Sequence, residues 1–597
     1  MSSRFNSKVQ AGATNIKIGW LWSVCLFACF AVELRAQSPK NVGPMIFPGS
    51  TDFYLQVLSP DHLIDDLWNH PVKAKIEMLE PIQQALKSED MRSAKLGLAF
   101  WEGQVGESWL PALKKLTSEG LFVGLDADTQ SFGLVFESSD EAFLKKSAGA
   151  LLGMVKSFGG DDQFEISDYR NGKVAKFENL SIARFGSWFI VSNKTKFAKT
   201  IADNLLDGVI GEKQLTDTLA AGQVFSNAYQ TIVGDRDAWT FLDLSKIRES
   251  GIAPDLFAGT TDNPAVELLL GGVLEAFEDA DFLSAELELN DQQLTIKTAL
   301  PFQSTDFRSQ REFFFGNQAL GRAPGLMEIP DAIGQIVAYR NFSGWWQSKE
   351  DLFPENVIAE LAVVDSQLST VFGGTDFGED ILGELHPGVR LIVKEQTYND
   401  GIDPVVKVPA FALVGRLQNP DRARQFKVSF NSVIAILNLS DENNLPQFDV
   451  ESFREDGYRI TSANYYLEDI EDKTLLAYNF SPALAFQDDY IVISSSEQLA
   501  REIAEATKGL DEDSETSLSH SFVTIDAAKL KDILEMNRES MVAQSMLEGG
   551  KSREQSEAEI KIALELLESV EKSELDYHIQ DQSMNLDFRL DFRSTQR

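Results

Sequence analysis

Five histidines, two cysteines and a large surplus of carboxylates are the groups in this 597-residue chain from which a chemical site could be assembled. The histidines, His62, His70, His386, His520 and His578, are scattered. No two of them stand four apart with a glutamate between, the arrangement that lets one helix face hold zinc beside a general base. Both cysteines, Cys25 and Cys29, fall in an apolar leader, so the chain expected after export has no thiolate ligand, cysteine nucleophile or disulfide. Phosphate cradles are missing too. Gly271-Gly272 lies inside an apolar helical stretch and Gly159-Gly160 precedes a hairpin, so neither opens a helix after a strand. No Gly-x-Ser-x-Gly elbow presents a hydrolase serine.

Paired carboxylates are the chemistry left open. A glycoside hydrolase needs only two Asp or Glu facing each other across a cleft, and 92 acidic residues offer no means of choosing the pair. Asp243 and Asp526 are singled out because each ends a strand immediately before a helix, at matching places in two similar phrases. Helix N-capping is the expected use of both, with catalysis the alternative. The acidic stretches 510–516 and 277–282 could attract calcium, but the first lacks the glycine that a calcium loop needs at its sixth position. Trp345 and Trp346 are candidate stacking platforms for a ligand such as a sugar, and Trp101 and Trp109 share that possibility; core packing is the competing use. On this reading no residue is assigned as catalytic, cofactor-binding or metal-ligating, and no cofactor is expected.

The first 36 residues read as an export signal. Arg4, Lys8 and Lys17 precede an apolar run, IGWLWSVCLFACFAV from Ile18 to Val32, that is short for a membrane anchor; cleavage is expected between Ala36 and Gln37. An uncleaved anchor and a lipoprotein box at LFAC (Leu26–Cys29) are the alternatives. No later apolar run approaches the length needed to cross a bilayer. Removing the leader takes away four basic residues and one acidic residue from 54 and 92, which leaves a net charge near −41. Nucleic-acid binding requires phosphate neutralisation by Lys and Arg, so this balance excludes it as an expectation. A cation or another envelope protein remains a possible partner, and acidity alone also serves solubility.

These groups must be positioned by elements, and the elements recur. WFIVSNKTKFAKTIA (Trp188–Ala202) is answered by YIVISSSEQLAREIA (Tyr490–Ala504). Gly43–Val57 is answered by Gly325–Tyr339, FGLVFESSDEAF by FALVGRLQNPDRARQF, and WTFLDLSKI by FVTIDAAKL. The pair Asn171-Gly172 is echoed by Asp456-Gly457, dipeptides that favour tight hairpin turns. The hairpin from Ser284 to Phe302 is echoed by Glu574 to Phe592, each turning at an Asp-Gln. Six matches in one order, offset by roughly 280 to 300 residues, imply a tandem duplication of a domain rather than a solenoid. The expected organisation is a leader (1–36), a first repeat (43–302), a linker (303–324) bearing Phe313, Phe314 and Phe315, and a second repeat (325–593).

Alternating strands such as LTIKTALPF and MNLDFRLDF indicate antiparallel sheets with one wet face. Ser192 and Ser494 stand where helix N-caps are expected, and Ser494 with Glu497 fits a capping box. The expected fold is therefore α+β: two tandem homologous lobes, each a mostly antiparallel sheet with helices packed on one face. The leader, the first-strand phrase carried by Pro48, Thr51 and Phe53, and the strand–helix texture over residues 43 to 592 resemble large uncharacterised secreted bacterial proteins grouped as a domain-of-unknown-function family. That resemblance implies export and supplies no catalytic residue. The functional expectation is an exported non-catalytic structural, scaffolding or binding component of the periplasm or cell envelope. A secreted carboxylate-dependent hydrolase and a carrier of an apolar ligand are the alternatives.

Overall fold

The computed structural model describes residues 42–593 except 160–163, 178–179, 232–235, 252, 304–306, 399–401, 440–446, 456, 466–473, 511–516 and 581. The leader and the Ala36–Gln37 junction lie outside the described residues. The protein is α+β, with twenty strands joined in antiparallel pairs and many helices. It divides into two compact units: Met1–Gly222 with Asp235–Trp239, and Gln223–Gly234 with Thr240–Arg597. Among the described residues, no helix is long and apolar enough to cross a membrane.

The first unit contains β1 (Phe53–Val57), β2 (Gly120–Asp126), β3 (Ser131–Glu137), β4 (Phe164–Tyr169), β5 (Gly172–Phe177), β6 (Leu180–Phe185) and β7 (Trp188–Ser192). Their spatial order is β4-β5-β6-β7-β3-β2-β1, antiparallel throughout. The strand β8 (Ala238–Asp243) is divided between the units.

The second unit holds β9 (Phe282–Asn290), β10 (Gln293–Pro301), β11 (Ala332–Tyr339), β12 (Gly388–Lys394), β13 (Ala410–Arg416), β14 (Phe448–Glu455) and β15 (Tyr458–Tyr465). It continues with β16 (Ala483–Gln487), β17 (Tyr490–Ser494), β18 (Ser521–Asp526), β19 (Val570–Gln580) and β20 (Ser583–Phe592). From one edge these run β14-β15-β16-β17-β13-β12-β11-β18-β19-β20-β10-β9.

Helices cover both faces, not one. On β17, Val492 packs with Leu499 and Ile503 of the helix Glu497–Ala506. Its neighbour Ile491 points the other way, into a cluster with Phe426 of the helix Ala423–Leu439. Successive strand side chains alternate faces, so a strand reading YIVIS without alternation is one that has apolar partners on each side. The same holds for WFIVS, all five of whose residues are buried. The alternation of β9, β10 and β20 was therefore a poor guide to the remaining strands.

Two expected turns behave differently. Tyr169 pairs with Gly172, so the hairpin turn is Arg170-Asn171, one residue earlier than the Asn171-Gly172 expectation, and Arg170 takes the positive φ of 51°. Gly172 belongs to β5. A Cβ there would stand 2.3 Å from the ring of Phe185, so close approach rather than turn geometry requires the glycine. In the second unit Glu455 pairs with Tyr458, and Gly457 sits in the two-residue turn with φ +98°; Asp456 lies outside the described residues.

The three phenylalanines of the expected linker enter the core. Phe313, Phe314 and Phe315 are fully or almost fully buried, packed with Leu300, Tyr577 and Met584. Arg311 beside them is equally buried and forks onto Glu267, with Nε–Oε1 at 2.7 Å and Nη2–Oε2 at 3.0 Å, while Nη1 reaches Glu275 at 3.4 Å. That triad pins the helix Pro264–Asp279 to the segment. The helix starts as the Asn263-Pro264 pair dictates, with Asn263 Oδ1 accepting from the N–H of Ala265 and Val266.

Candidate functional site

A groove of about 890 Å³ lies in the second unit. Its floor is the alternating hairpin strands, read across four neighbours by register. One row runs Glu286 (β9), Lys297 (β10), Asp587 (β20), Asp576 (β19). The next runs Ser284, Ala299, Asn585, His578. Residues directly opposite on paired strands share a face, so these rows present their side chains together. The opposite face carries Leu300, Tyr577 and Met584 into the phenylalanine core. Asn227, Gln230 and Thr231 and the helix-end residues Glu275 and Asp279 complete the lining.

The polar groups here are unevenly satisfied. Glu275 accepts from the backbone N–H of Arg308 at 2.6 Å and from Arg311; burial raises its carboxyl, against the lowering pull of those two arginines. Asp281 accepts from the Ser245 hydroxyl at 2.9 Å. Asp587 accepts no hydrogen bond and joins no ion pair among the described residues. Burial holds its carboxyl above the ordinary range; His578 and Lys297 pull it down, and Asp576 pushes it up. Asp576 Oδ1 and His578 Nδ1 are cut off from solvent without a hydrogen-bond partner, and His578 Nδ1 stands 3.8 Å from Asp576 Oδ2.

The residues expected to matter lie elsewhere. Asp243 caps its helix by accepting from the N–H of Lys246 at 3.0 Å. Asp526 does the same for Ala528 and Lys529 at 2.8 and 3.0 Å. Ser192 is not a helix cap: its helix begins after Lys194, and the hydroxyl instead accepts from the N–H of Lys194 at 3.2 Å. Ser494 likewise stands two residues before the true cap, Ser496, and its hydroxyl accepts from the N–H of Ser496 at 3.1 Å. The expected capping box does not form, because Glu497 turns to Asn464 and Arg501. Both serines are the last residues of buried strands, which carries the chain two residues further before the helix can start.

Trp346 is buried, its Nε1 donating to Asp365 at 3.3 Å and its ring against Phe377. Trp345 packs into the phenylalanine core. Packing, the use weighed against a ligand platform, is what both show here. His520 is buried beside Phe314, its Nε2 2.6 Å from that residue's carbonyl oxygen, and burial drives it down to about 3. Among the described residues no group of His, Cys, Asp and Glu is placed to hold a metal ion.

His578 was noted in the sequence only as one scattered histidine. The matching hairpins did place Glu286 with Asp576 and Lys297 with Asp587 at equivalent positions. The pairing of β10 with β20 that assembles the four was not legible, because it joins residues almost 300 apart.

No protein family matches this chain, and no curated protein does. The solved structures it is similar to include crystal forms of TP0453. Crystal form IV is 9% identical, with 44% of this chain and 80% of that chain covered and a TM-score of 0.24. Crystal form I is 11% identical, with 49% and 88% covered and a TM-score of 0.24. A likeness at that score carries no argument about fold or function.

Proposed function

We propose that the chain is an exported, non-catalytic binding component of the periplasm or cell envelope, and that the groove on the polar sheet face holds its ligand. The observation that carries this is the groove itself, lined by Asp587 and His578, where among the described residues His578 Nδ1 is cut off from solvent without a hydrogen-bond partner. Buried polar groups normally find partners, and those that do not mark places where something else supplies one. Export rests on the leader and on cleavage between Ala36 and Gln37. The architecture is two tandem copies of one α+β lobe. Support for that comes from strand order: β4-β5-β6-β7-β3-β2-β1 and β14-β15-β16-β17-β13-β12-β11 run through equivalent strands in the same sequence.

One observation favours a second reading. Asp576 and Asp587 are adjacent carboxyls, and the elevation of Asp587 by burial is what a general acid in a carboxylate-dependent hydrolase requires.

The test is the melting temperature of the chain from Gln37 onward against sugars, divalent cations, polyamines, basic peptides and lipids. A ligand that binds only the folded state raises it. A concentration-dependent rise with one class, lost when Asn585→Trp fills the groove, is the expected result. A panel that moves nothing would sink the binding reading, and turnover of an aryl glycoside that disappears in Asp587→Asn would replace it with the hydrolase.

A further inference from the structure

The apolar stripe of the helix Ala423–Leu439 outruns the surface it covers. Phe426 and Phe430 pack onto Leu484, Phe486 and Ile491. Val433, Ile436 and Leu437 continue the same stripe at helical spacing, yet they are 42–55% exposed. The sheet face beside the helix is open as well. Ile493 lies two residues beyond Ile491 on β17, and register carries its row through Leu413 on β13 and Leu391 on β12 to Ile336 on β11. Side chains directly opposite on paired strands share a face. Ile336, Leu413 and Ile493, with Phe411 two residues from Leu413 on the same face, are 40–49% exposed.

The first unit shows that two such surfaces fit each other. Its matching face, Phe132, Leu134 and Val191, is closed by Leu144, Ala148, Leu151 and Leu152 of the helix Glu141–Gly159. In the second unit a helix stripe and a sheet face of the same kind are both present and left unjoined. We infer that a second copy of this chain joins them: the free helix end of each copy lies on the open sheet face of the other. Such an exchange is isologous, so it closes at two copies. The seven side chains offer on the order of 500 Å² of apolar surface per copy, most of the roughly 800 Å² that each partner of a stable interface buries. A small apolar ligand takes a concave pocket that encloses most of its surface, whereas this face lies open across four strands. Both copies are strongly acidic, so repulsion opposes their approach and salt relieves it.

Sedimentation velocity of the chain from Gln37, followed from nanomolar to high micromolar concentration, tests this. A dimer that forms in the micromolar range is expected, tighter at high salt than at low; on dilution the copies part and Phe411 returns to solvent. Ile493→Asp and Leu437→Asp should each weaken it at least tenfold. Leu547→Asp, at a position more exposed than either on the helix Arg538–Gly549, should change it less than twofold. Mixing the two defective variants should restore part of the association, because a mixed pair keeps one intact helix end on one intact sheet face. Pairing lost in only one of the two variants overturns the exchange. Both positions are exposed, so melting of the dilute variants checks that they fold, and Ile493→Ser or Leu437→Ser replaces a variant that does not. A chain monomeric at every concentration overturns the inference, and so does a dimer that ignores both variants or loosens with salt. A monomer that takes up a fluorescent fatty acid, with uptake lost in Ile493→Asp, would overturn it and give the face to an apolar ligand.

Discussion

Phe132 and Phe411 open matching strand phrases, FGLVFE and FALVGR, and meet opposite fates. Phe132 is 7% exposed and Phe411 is 44% exposed. Their neighbours on the adjacent strand follow suit, with Val191 at 9% and Ile493 at 49%. In the first unit Leu144 and Ala148 of the helix Glu141–Gly159 pack onto this patch, and Phe136 stacks on Phe189 with centroids 5.0 Å apart. In the second unit the helix Ala423–Leu439 sets Phe426 and Phe430 against Leu484, Phe486 and Ile491, and the place of Phe136 is taken by Gly415. The difference teaches that a strand's text decides which face a side chain takes, while a covering element far along the chain decides whether that face is buried.

The comparison can be broken most directly by truncation. Phe132→Ala should cost about 3–5 kcal/mol, the usual toll of emptying a filled aromatic site, whereas Phe411→Ala should cost less than about 1 kcal/mol, because little is removed from contact. Urea midpoints of the two variants check this; equal losses would mean that Phe411 is covered in solution.

A smaller effect separates the two hairpin glycines. Gly172→Ala should cost about 1–3 kcal/mol by crowding Phe185, and Gly172→Asn should be worse still. Gly457→Ala should cost about 1 kcal/mol through its positive φ, and Gly457→Asn should recover part of that because asparagine tolerates the left-handed region. Thermal melts of the four variants distinguish crowding from backbone conformation.

Next come the caps, where the two matching phrases should agree. Asp243→Ala and Asp526→Ala should each lose about 1 kcal/mol, since both aspartates accept from the first turn. Amide exchange in the two helices would register the loss locally, and protection unchanged in either helix would show that its cap carries no stability.

The smallest effect concerns the groove. Burial and Asp576 raise the Asp587 carboxyl, so its folded value lies above its unfolded value. The charged form is the disfavoured one, and the penalty sets in as pH rises through the folded value. Asp587→Asn should therefore be more stable than the parent at pH 7, by up to about 1 kcal/mol, and the advantage should fade as pH falls below the ordinary carboxylate range. Melting curves from pH 3 to 8 measure it, and an advantage that grows toward acid would reverse the assigned direction.

Much of the local structure was legible because it depends on near neighbours. Asp243 and Asp526 announced two helix starts, since a cap needs only an oxygen and the N–H groups two or three residues on. Ser192 and Ser494 misled for the same local reason: a serine ahead of a helix looks like a cap, whereas pairing to a neighbouring strand keeps each in extended backbone. For Trp345 and Trp346 the core-packing reading is the one the structure shows, although a tryptophan pair reads alike in a cleft and in a core. The groove stayed hidden, since nothing within the phrase LDFRLDF says that its Asp587 will lie between Asp576 on one side and Lys297 on the other.

The sequence by itself determined the α+β character and the antiparallel hairpins, because periodicity and turn chemistry act over a few residues. The order of the twenty strands, the helices on both faces and the meeting of Lys297 with Asp587 across β10 and β20 were decided only in the tertiary structure. Each depends on which distant segments pair and on which surface is left uncovered, and both are settled by the free energy of the whole packed chain.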